Sequence, residues 1–108
     1  MRLLALERMV RGWFVGPFEP TALHTRDAEV AVKSYRPGES EARHVHKVAT
    51  EVTVVLSGTV RMNDCELRAG ANVVLEPGEA TDFVAVTEAT VVAVKTPAVE
   101  GDKYLVEA

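Results

Sequence analysis

Two histidines and one glutamate stand at a spacing that can hold a metal ion. His44 and His46 are two residues apart, and because side chains alternate across a β-strand, both imidazoles project from the same face. Glu51 follows five residues after His46, so a turn over residues 47–50 returns its carboxylate to the height of the two rings. Two neutral imidazoles and one carboxylate suit Fe(II), Mn(II), Ni(II), Co(II) or Zn(II), with positions left open for water or substrate.

The elements that position these residues are predicted to be β-strands. Valine occurs 19 times, threonine 9 times and isoleucine never among the 108 residues, and β-branched side chains favour strands. The predicted strands are Glu29–Tyr35, Glu51–Leu56, Thr59–Met62, Asn72–Leu75, Phe83–Val86 and Thr90–Val94. Many short strands with regularly spaced turn residues indicate an all-β sandwich or barrel. The one helix-like stretch, Leu3–Arg11, fits an irregular lead-in equally well.

Glycines frame the three candidate ligands at fixed distances. This segment resembles the first signature motif of the cupin superfamily. Its order is Gly38, five residues, His44-x-His46, four residues, Glu51, six residues and Gly58. The resemblance covers about residues 29–96 and implies a jelly-roll barrel, also called a double-stranded β-helix. One domain over residues 1–108 then consists of a lead-in (1–28), the barrel core (about 29–96) and a tail (97–108).

The resemblance also carries expectations about activity. In cupins the residues corresponding to His44, His46 and Glu51 hold a divalent metal inside the barrel mouth. Many members are oxygenases, isomerases, epimerases or lyases that act on small molecules. The resemblance therefore implies a metal-binding protein of this kind, with the identity of the metal and the reaction left open.

The second cupin motif is only partly present. Gly70 and Gly78 match it, but Thr81 stands where the motif has the histidine that is usually the fourth metal ligand. The remaining set of two histidines and one carboxylate resembles the facial triad of non-haem Fe(II) oxygenases. Asp82 replaces the fourth ligand only if the strand register slips by one residue, because its parity directs it to the other face.

A metal-free barrel is the alternative to the metal site. In that case His44, His46 and Glu51 form a hydrogen-bonded polar cluster, and the protein is a non-catalytic module that binds a small molecule. The sequence alone leaves this choice open.

Strand parity predicts which residues line the barrel. If Glu51 faces the lumen, so do Thr53, Val55 and Ser57, whereas Val52, Val54 and Leu56 face outward. The expected arrangement is a polar lumen beneath an apolar outer face. Candidate ligand-binding residues in the lumen are Lys33, Arg61, Phe83 and Lys95, with Tyr35 and Thr81 as hydrogen-bonding support for a metal-bound substrate. The cationic members suit a small carboxylic acid or a sugar derivative.

A large apolar face on the outside of a protein is usually buried against another surface. We expect the second subunit of a homodimer to bury this one. The N-terminal segment with Trp13, Phe14 and Phe18 is a second possible cover. A third interpretation is that the apolar faces belong to the second sheet of the same sandwich and need no partner.

Charge and cysteine content bound the remaining function classes. The formal net charge is −4, and no run of basic residues suggests a surface that binds nucleic acid. The short apolar run at residues 3–6 is too short to span a membrane or form a signal-peptide core. A lone cysteine, Cys65, makes no internal disulfide, so nothing in the sequence suggests an oxidising compartment. We therefore expect a soluble cytoplasmic protein.

Overall fold

Two five-stranded antiparallel sheets face each other in the computed structural model, which describes residues 1–107. The strands of this range are β1 (Trp13–Val15), β2 (Glu29–Tyr35), β3 (Ser40–Val45), β4 (Thr50–Ser57), β5 (Thr59–Met62), β6 (Cys65–Arg68), β7 (Asn72–Leu75), β8 (Ala80–Ala85), β9 (Ala89–Thr96) and β10 (Tyr104–Leu105). Sheet I has the order β1-β2-β9-β4-β7 and sheet II the order β10-β3-β8-β5-β6. The all-β jelly-roll architecture expected from the sequence is confirmed.

Most predicted strands are found close to their predicted bounds. β2, β5 and β7 have the predicted bounds, and β4 and β9 extend the predicted runs by one or two residues at each end. β8 begins at Ala80 rather than Phe83, because Thr81 continues the alternation of buried residues. Strands β1, β3, β6 and β10 were not among the predicted runs, although the pairing of His44 with His46 on one face assumed a strand at β3. In place of one helix over Leu3–Arg11 there are two 3-10 turns, Leu6–Arg8 and Val10–Gly12, and Arg11 has a left-handed φ of 50°.

The lumen between the sheets has an apolar end and a polar end. Val55, Val60 and Val91 are essentially inaccessible to solvent, and each such burial stabilises the fold by roughly 1.5–3 kcal/mol. They pack with Met62, Leu75, Phe83, Ala85 and Ala89. The prediction of a polar lumen is therefore wrong for this end of the barrel, because a barrel of this size is filled by close-packed side chains. Ser57 was also expected in the lumen. It is exposed, because the register of β4 shifts between Val55 and Ser57.

The turn between β4 and β5 explains why the motif ends in glycine. Gly58 has φ +77°, and a Cβ atom built there would lie 2.0 Å from the carbonyl oxygen of Glu88. A side chain at this position therefore requires the backbone itself to move.

Among the described residues, no helix has the length and apolar character that crossing a membrane requires.

Candidate metal centre

The polar end of the lumen brings the three predicted metal ligands together. His44 lies near the end of β3, His46 directly follows that strand, and Glu51 is the second residue of β4. Their ligand atoms all lie within 4.8 Å of one another. The two imidazole rings are 5.1 Å apart and nearly perpendicular, and His46 Nδ1 is 4.0 Å from a Glu51 carboxylate oxygen. This is the arrangement that the spacing of the motif predicted.

Hydrogen bonding leaves imidazole nitrogens free to bind a cation. His44 Nδ1 lies 3.0 Å from the carbonyl oxygen of Ala42, and because a carbonyl only accepts, Nδ1 is the donor and, in the neutral ring, Nε2 is the free acceptor. His46 Nε2 is buried and has no hydrogen-bond partner among the described residues. An unpartnered buried polar atom costs roughly 1–3 kcal/mol, so a ligand at this position relieves a penalty that the fold otherwise carries.

Burial shifts the pKa values of two of the candidate ligands. Loss of solvent around His46, together with the nearby Lys95 and His44, lowers the pKa of His46 to about 4. The ring is therefore neutral near pH 7, which is the form that binds metal. Burial raises the pKa of Glu51, against the opposing effect of Lys95. A divalent cation would favour the ionised carboxylate.

The C-terminal tail fixes the loop that joins His46 to Glu51. The Asp102 carboxylate accepts hydrogen bonds from the backbone N–H groups of Lys47 at 2.8 Å, Val48 at 3.2 Å and Ala49 at 2.9 Å. Burial acts to raise the pKa of Asp102, but these N–H groups outweigh it and hold the pKa below its usual range. On the other side, the Gly78 N–H donates to the His46 carbonyl at 2.8 Å. The ligand loop is thus held from two remote parts of the chain.

Trp13 and two lysines form the wall of the cleft beside the ligands. Trp13 pairs with Ala31 in β2 and therefore faces the lumen, so the prediction that it helps to cover the outer face is wrong. Lys33 Nζ and Lys95 Nζ lie 5.1 Å and 4.7 Å from the centroid of its ring, within the range of cation–π attraction. Each ammonium also has a carboxylate partner, Glu41 at 3.6 Å and Glu29 at 3.8 Å.

Tyr35 is directed at a carboxylate rather than at the ligand cluster. Its hydroxyl donates a hydrogen bond to Glu41, and its ring packs 4.6 Å from that of Phe83. Burial raises the pKa of Tyr35 far above its ordinary value, and Glu41 raises it further. Burial likewise acts to raise the pKa of Glu41, but Tyr35 and Lys33 bring it below its usual value. Tyr35 is therefore a neutral donor that holds Glu41 in place.

The other predicted site residues lie at different distances from the cluster. Phe83 is buried in the apolar core behind Tyr35. Thr81 is buried opposite His44 on the neighbouring strand, and its hydroxyl donates to the carbonyl of Asp82 at 2.7 Å. Lys33 and Lys95 line the cleft. Arg61 does not, because Val60 and Met62 on either side of it face the core and Arg61 projects outward; the expectation that it lies in the lumen is wrong.

Asp82 does not replace the missing fourth ligand. The strand register is the one that parity predicts, with Thr81 opposite His44. The Asp82 carboxylate instead lies 3.5 Å from Arg43 and accepts the backbone N–H of Asn63 at 2.8 Å. The alternative that requires a slipped register is therefore wrong.

The ligand cluster lies in an open cleft of about 1190 Å³. One side is formed by the lead-in, including Leu6, Met9 and Trp13, and the other by the barrel mouth with His44 and Glu51. Such a cleft is large enough for a small organic molecule.

Comparisons with known proteins agree with this architecture. No family model matches the sequence, and no curated protein matches it. Among solved structures, an uncharacterized conserved protein with a double-stranded β-helix domain from Klebsiella pneumoniae is 24% identical with a TM-score of 0.74, covering 99% of this chain and 93% of that one. An RmlC-like cupin from Shewanella frigidimarina is 20% identical with a TM-score of 0.66, covering 70% and 71% of the two chains.

A third similar structure has a named activity. It is a sugar phosphate isomerase from a cupin superfamily, from Silicibacter pomeroyi, which is 23% identical with a TM-score of 0.61 and is matched over 65% of this chain and 50% of that one. Likeness at this level of identity establishes the fold. The jelly-roll fold that the spacing of the histidines and glycines implied is therefore confirmed, and the chain has a double-stranded β-helix fold.

Proposed function

We propose that this protein binds one divalent transition metal through His44, His46 and Glu51 and uses it to hold a small anionic or polyhydroxylated molecule in the cleft. The observation that carries the proposal is that one ligand atom each of His44, His46 and Glu51 lies within 4.8 Å of the others, in a site where His46 Nε2 is buried without a hydrogen-bond partner among the described residues. A neutral imidazole nitrogen that has lost its water and gained no hydrogen bond is suited to a metal.

The residues of the cleft favour an oxygen-rich anion as the ligand. When bound, a divalent metal with open coordination positions acts as a Lewis acid that orients and polarises an oxygen ligand. Lys33 and Lys95 place two ammonium groups beside the cluster, so a carboxylate or phosphate of the ligand can exchange places with Glu41 or Glu29. Trp13 supplies a planar apolar wall that limits water on this side. The named activity of the Silicibacter pomeroyi protein supports a sugar phosphate as one candidate.

Metal content is the direct test of the proposal. The protein is purified without a histidine tag and its metals are measured, together with His46→Ala and with His24→Ala as the matched control, because His24 is exposed. We expect about one equivalent of a transition metal in the wild type and in His24→Ala and none in His46→Ala. If no variant carries metal and none gains thermal stability from Fe(II), Mn(II), Ni(II) or Zn(II), the proposal is refuted and a metal-free binding barrel takes its place.

Ligand binding tests the role of the lysines. Calorimetric titration of the metal-loaded protein with small dicarboxylates and sugar phosphates is compared with the same titration of Lys95→Met. A hydrogen bond to a charged group contributes roughly 1.5–3 kcal/mol, so we expect affinity to fall at least about tenfold. Arg61→Met is the control, because Arg61 is a cation on the outer surface. Equal affinities for the two variants would contradict the assignment.

A further inference from the structure

The side of the cleft that the lead-in forms is rich in large apolar side chains. We refer to five of its lining residues as the apolar wall, namely Leu6, Met9, Val10, Trp13 and Phe18. Met9 is buried, whereas Leu6 is 46% exposed and Val10 is 56% exposed. Clustered apolar side chains that line a cleft and stay accessible to water are typical of a site for an organic ligand.

The lead-in is fixed against the barrel beside this wall. Gly12 has φ +81°, and a Cβ atom built there would overlap the carbonyl oxygen of Val32 on β2. The backbones of the lead-in and β2 are therefore in direct contact, with no side chain between them. Trp13 follows Gly12 and pairs with Ala31 of β2. The apolar wall is thus attached to sheet I by its backbone, next to the candidate metal centre.

The apolar wall restricts the kind of ligand that suits the cleft. Leu6, Met9 and Val10 carry no strong hydrogen-bond donor or acceptor in their side chains. A hydroxyl group placed against them loses its hydrogen bonds to water and gains none in return, which costs free energy. A methylene group or an aromatic carbon in the same place instead gains free energy by leaving water. Between a carboxylic acid and a sugar derivative, the wall therefore favours an acid whose body is apolar.

The charges around the candidate metal centre suit a ligand with a single negative charge. Imidazoles bind metal in their neutral form, so Glu51 supplies the one negative charge of the three ligands, and a divalent ion keeps one positive charge. Lys33 and Lys95 already have carboxylate partners. The other charged residues that line the cleft include more carboxylates than cations, namely Glu7, Glu19 and Glu39 against Arg11 and Lys103. A phosphate or a second carboxylate would add negative charge where carboxylates already outnumber cations.

We propose that the ligand of this cleft is an amphipathic monocarboxylic acid. Its carboxylate and a neighbouring keto or hydroxyl oxygen bind the metal, because three protein ligands leave more than one coordination position open. Its apolar body lies along the apolar wall. The inference rests on the proposed metal site and narrows its ligand to one chemical class: 2-oxo or 2-hydroxy acids with a hydrocarbon or aromatic side chain, in preference to sugar phosphates and dicarboxylates.

The size of the cleft supports an estimate of the effect. Its volume of about 1190 Å³ leaves room for a ligand that extends from the metal centre to the apolar wall. A fully buried methylene group raises affinity roughly fourfold. Because the cleft is open to solvent, we expect about half of that free energy, which is roughly twofold in affinity for each carbon atom.

Binding of matched 2-oxo acids to the cobalt(II)-loaded protein tests the proposal. Pyruvate, 2-oxooctanoate and 2-oxoglutarate share the metal-binding group and differ in the remainder, which is a methyl group, a hydrocarbon chain and a second carboxylate, respectively. The visible absorption of cobalt(II) reports binding at the metal itself. Since 2-oxooctanoate has five more carbon atoms than pyruvate, we expect it to bind roughly thirtyfold more tightly. We expect 2-oxoglutarate to bind no more tightly than pyruvate.

Two double variants locate the hydrocarbon chain of the ligand. Leu6→Ser with Val10→Ser removes the exposed part of the apolar wall and should reduce the preference for 2-oxooctanoate over pyruvate to about fivefold or less. Its affinity for pyruvate should not change. Leu3→Ser with Leu4→Ser is the matched control, because both leucines are exposed residues of the lead-in outside the described lining of the cleft. This control should keep the full preference.

The outcomes separate this inference from the proposed function. Metal content is measured on the same samples, and a wild type that takes up no metal refutes the proposed function and this inference with it. A protein that binds cobalt(II) but responds equally to pyruvate and 2-oxooctanoate, more strongly to 2-oxoglutarate, or to none of the three, keeps the metal site and overturns the inference. A preference that survives in Leu6→Ser with Val10→Ser also overturns it. If that variant does not fold, the wild-type series decides alone.

Discussion

Replacement of Asp102 should loosen the ligand loop and destabilise the fold. In Asp102→Ala the N–H groups of Lys47, Val48 and Ala49 lose the carboxylate oxygens that accept their hydrogen bonds. The first two residues are exposed, so water can take the place of the carboxylate. Ala49 is only 3% exposed, and its N–H group loses its partner in a site that water reaches poorly.

The structure supports an estimate of the magnitude. A hydrogen bond to a charged acceptor contributes roughly 1.5–3 kcal/mol, and a buried donor left unpaired costs roughly 1–3 kcal/mol. Counting the buried bond in full and the two exposed bonds as largely replaced by water, we expect a loss of about 3 kcal/mol in the free energy of unfolding. Asp102→Asn keeps one acceptor oxygen and should lose about half as much. Either loss is a large fraction of the roughly 5–15 kcal/mol typical of a domain.

Urea unfolding of the metal-free protein measures the effect. At neutral pH the variants should unfold at lower urea with an unchanged slope. The sign of the pH dependence follows from the lowered pKa of Asp102: its contribution is fully present above the unfolded value of about 3.9 and is lost as the pH falls through the folded value. The difference between wild type and Asp102→Ala should therefore shrink below about pH 4.

Metal affinity separates positioning of the loop from general stability. Val60→Ala, in the apolar core away from the loop, serves as a destabilised control. We expect Asp102→Ala to weaken metal binding severalfold while Val60→Ala leaves it unchanged. The reasoning is refuted if Asp102→Ala unfolds within about 0.5 kcal/mol of the wild type, which is the range of an ordinary surface substitution. Equal metal affinities for the two folded variants would refute the positioning role alone.

Three further predictions concern the cleft and the turns. Glu41→Gln should lower the pKa of Tyr35 while burial keeps it above the ordinary value of about 10, as followed by phenolate absorbance; an unchanged titration would contradict the contact. Cobalt(II) should quench the fluorescence of Trp13, the only tryptophan, and a chelator should restore it; undiminished emission after metal uptake would show that the ring lies far from the site. Gly58→Ala should destabilise the fold by more than Gly70→Ala, because both have positive φ but only Gly58 meets backbone atoms; equal losses in urea unfolding would disprove the steric argument.

The cluster of candidate metal ligands could be predicted because its signal is local. His44, His46 and Glu51 lie within eight residues of sequence, and strand alternation plus one short turn is enough to bring them together. The positions of Lys33 and Tyr35 follow from the same alternation along β2, whose bounds were predicted correctly. Within a regular strand, the spacing of residues in the sequence therefore predicts which side chains share a face.

The contacts that were missed depend on irregular or remote features. Glu41 shares a face with His44 only because the register shifts between them, and simple alternation places it on the other side. Asp102 contacts a loop more than 50 residues away in the sequence. Its carboxylate binds backbone N–H groups, so the side chains of that loop give no signal of the contact. Trp13 belongs to a strand of three residues, too short to show a periodic pattern. Arg61 was expected in the lumen, but Val60 and Met62 on either side of it are the residues that alternation directs into the core.

The division of the lumen into an apolar end and a polar end has a consequence for how such a protein can change over time. Val55 and Val60 belong to the apolar core and line neither the cleft nor the ligand cluster, whereas Lys33, Lys95 and Trp13 line the cleft and are not part of that core. Substitutions for new specificity therefore meet few packing constraints, and substitutions for heat resistance leave the chemistry intact. Selection can act on the two properties almost independently, within a barrel of little more than one hundred residues.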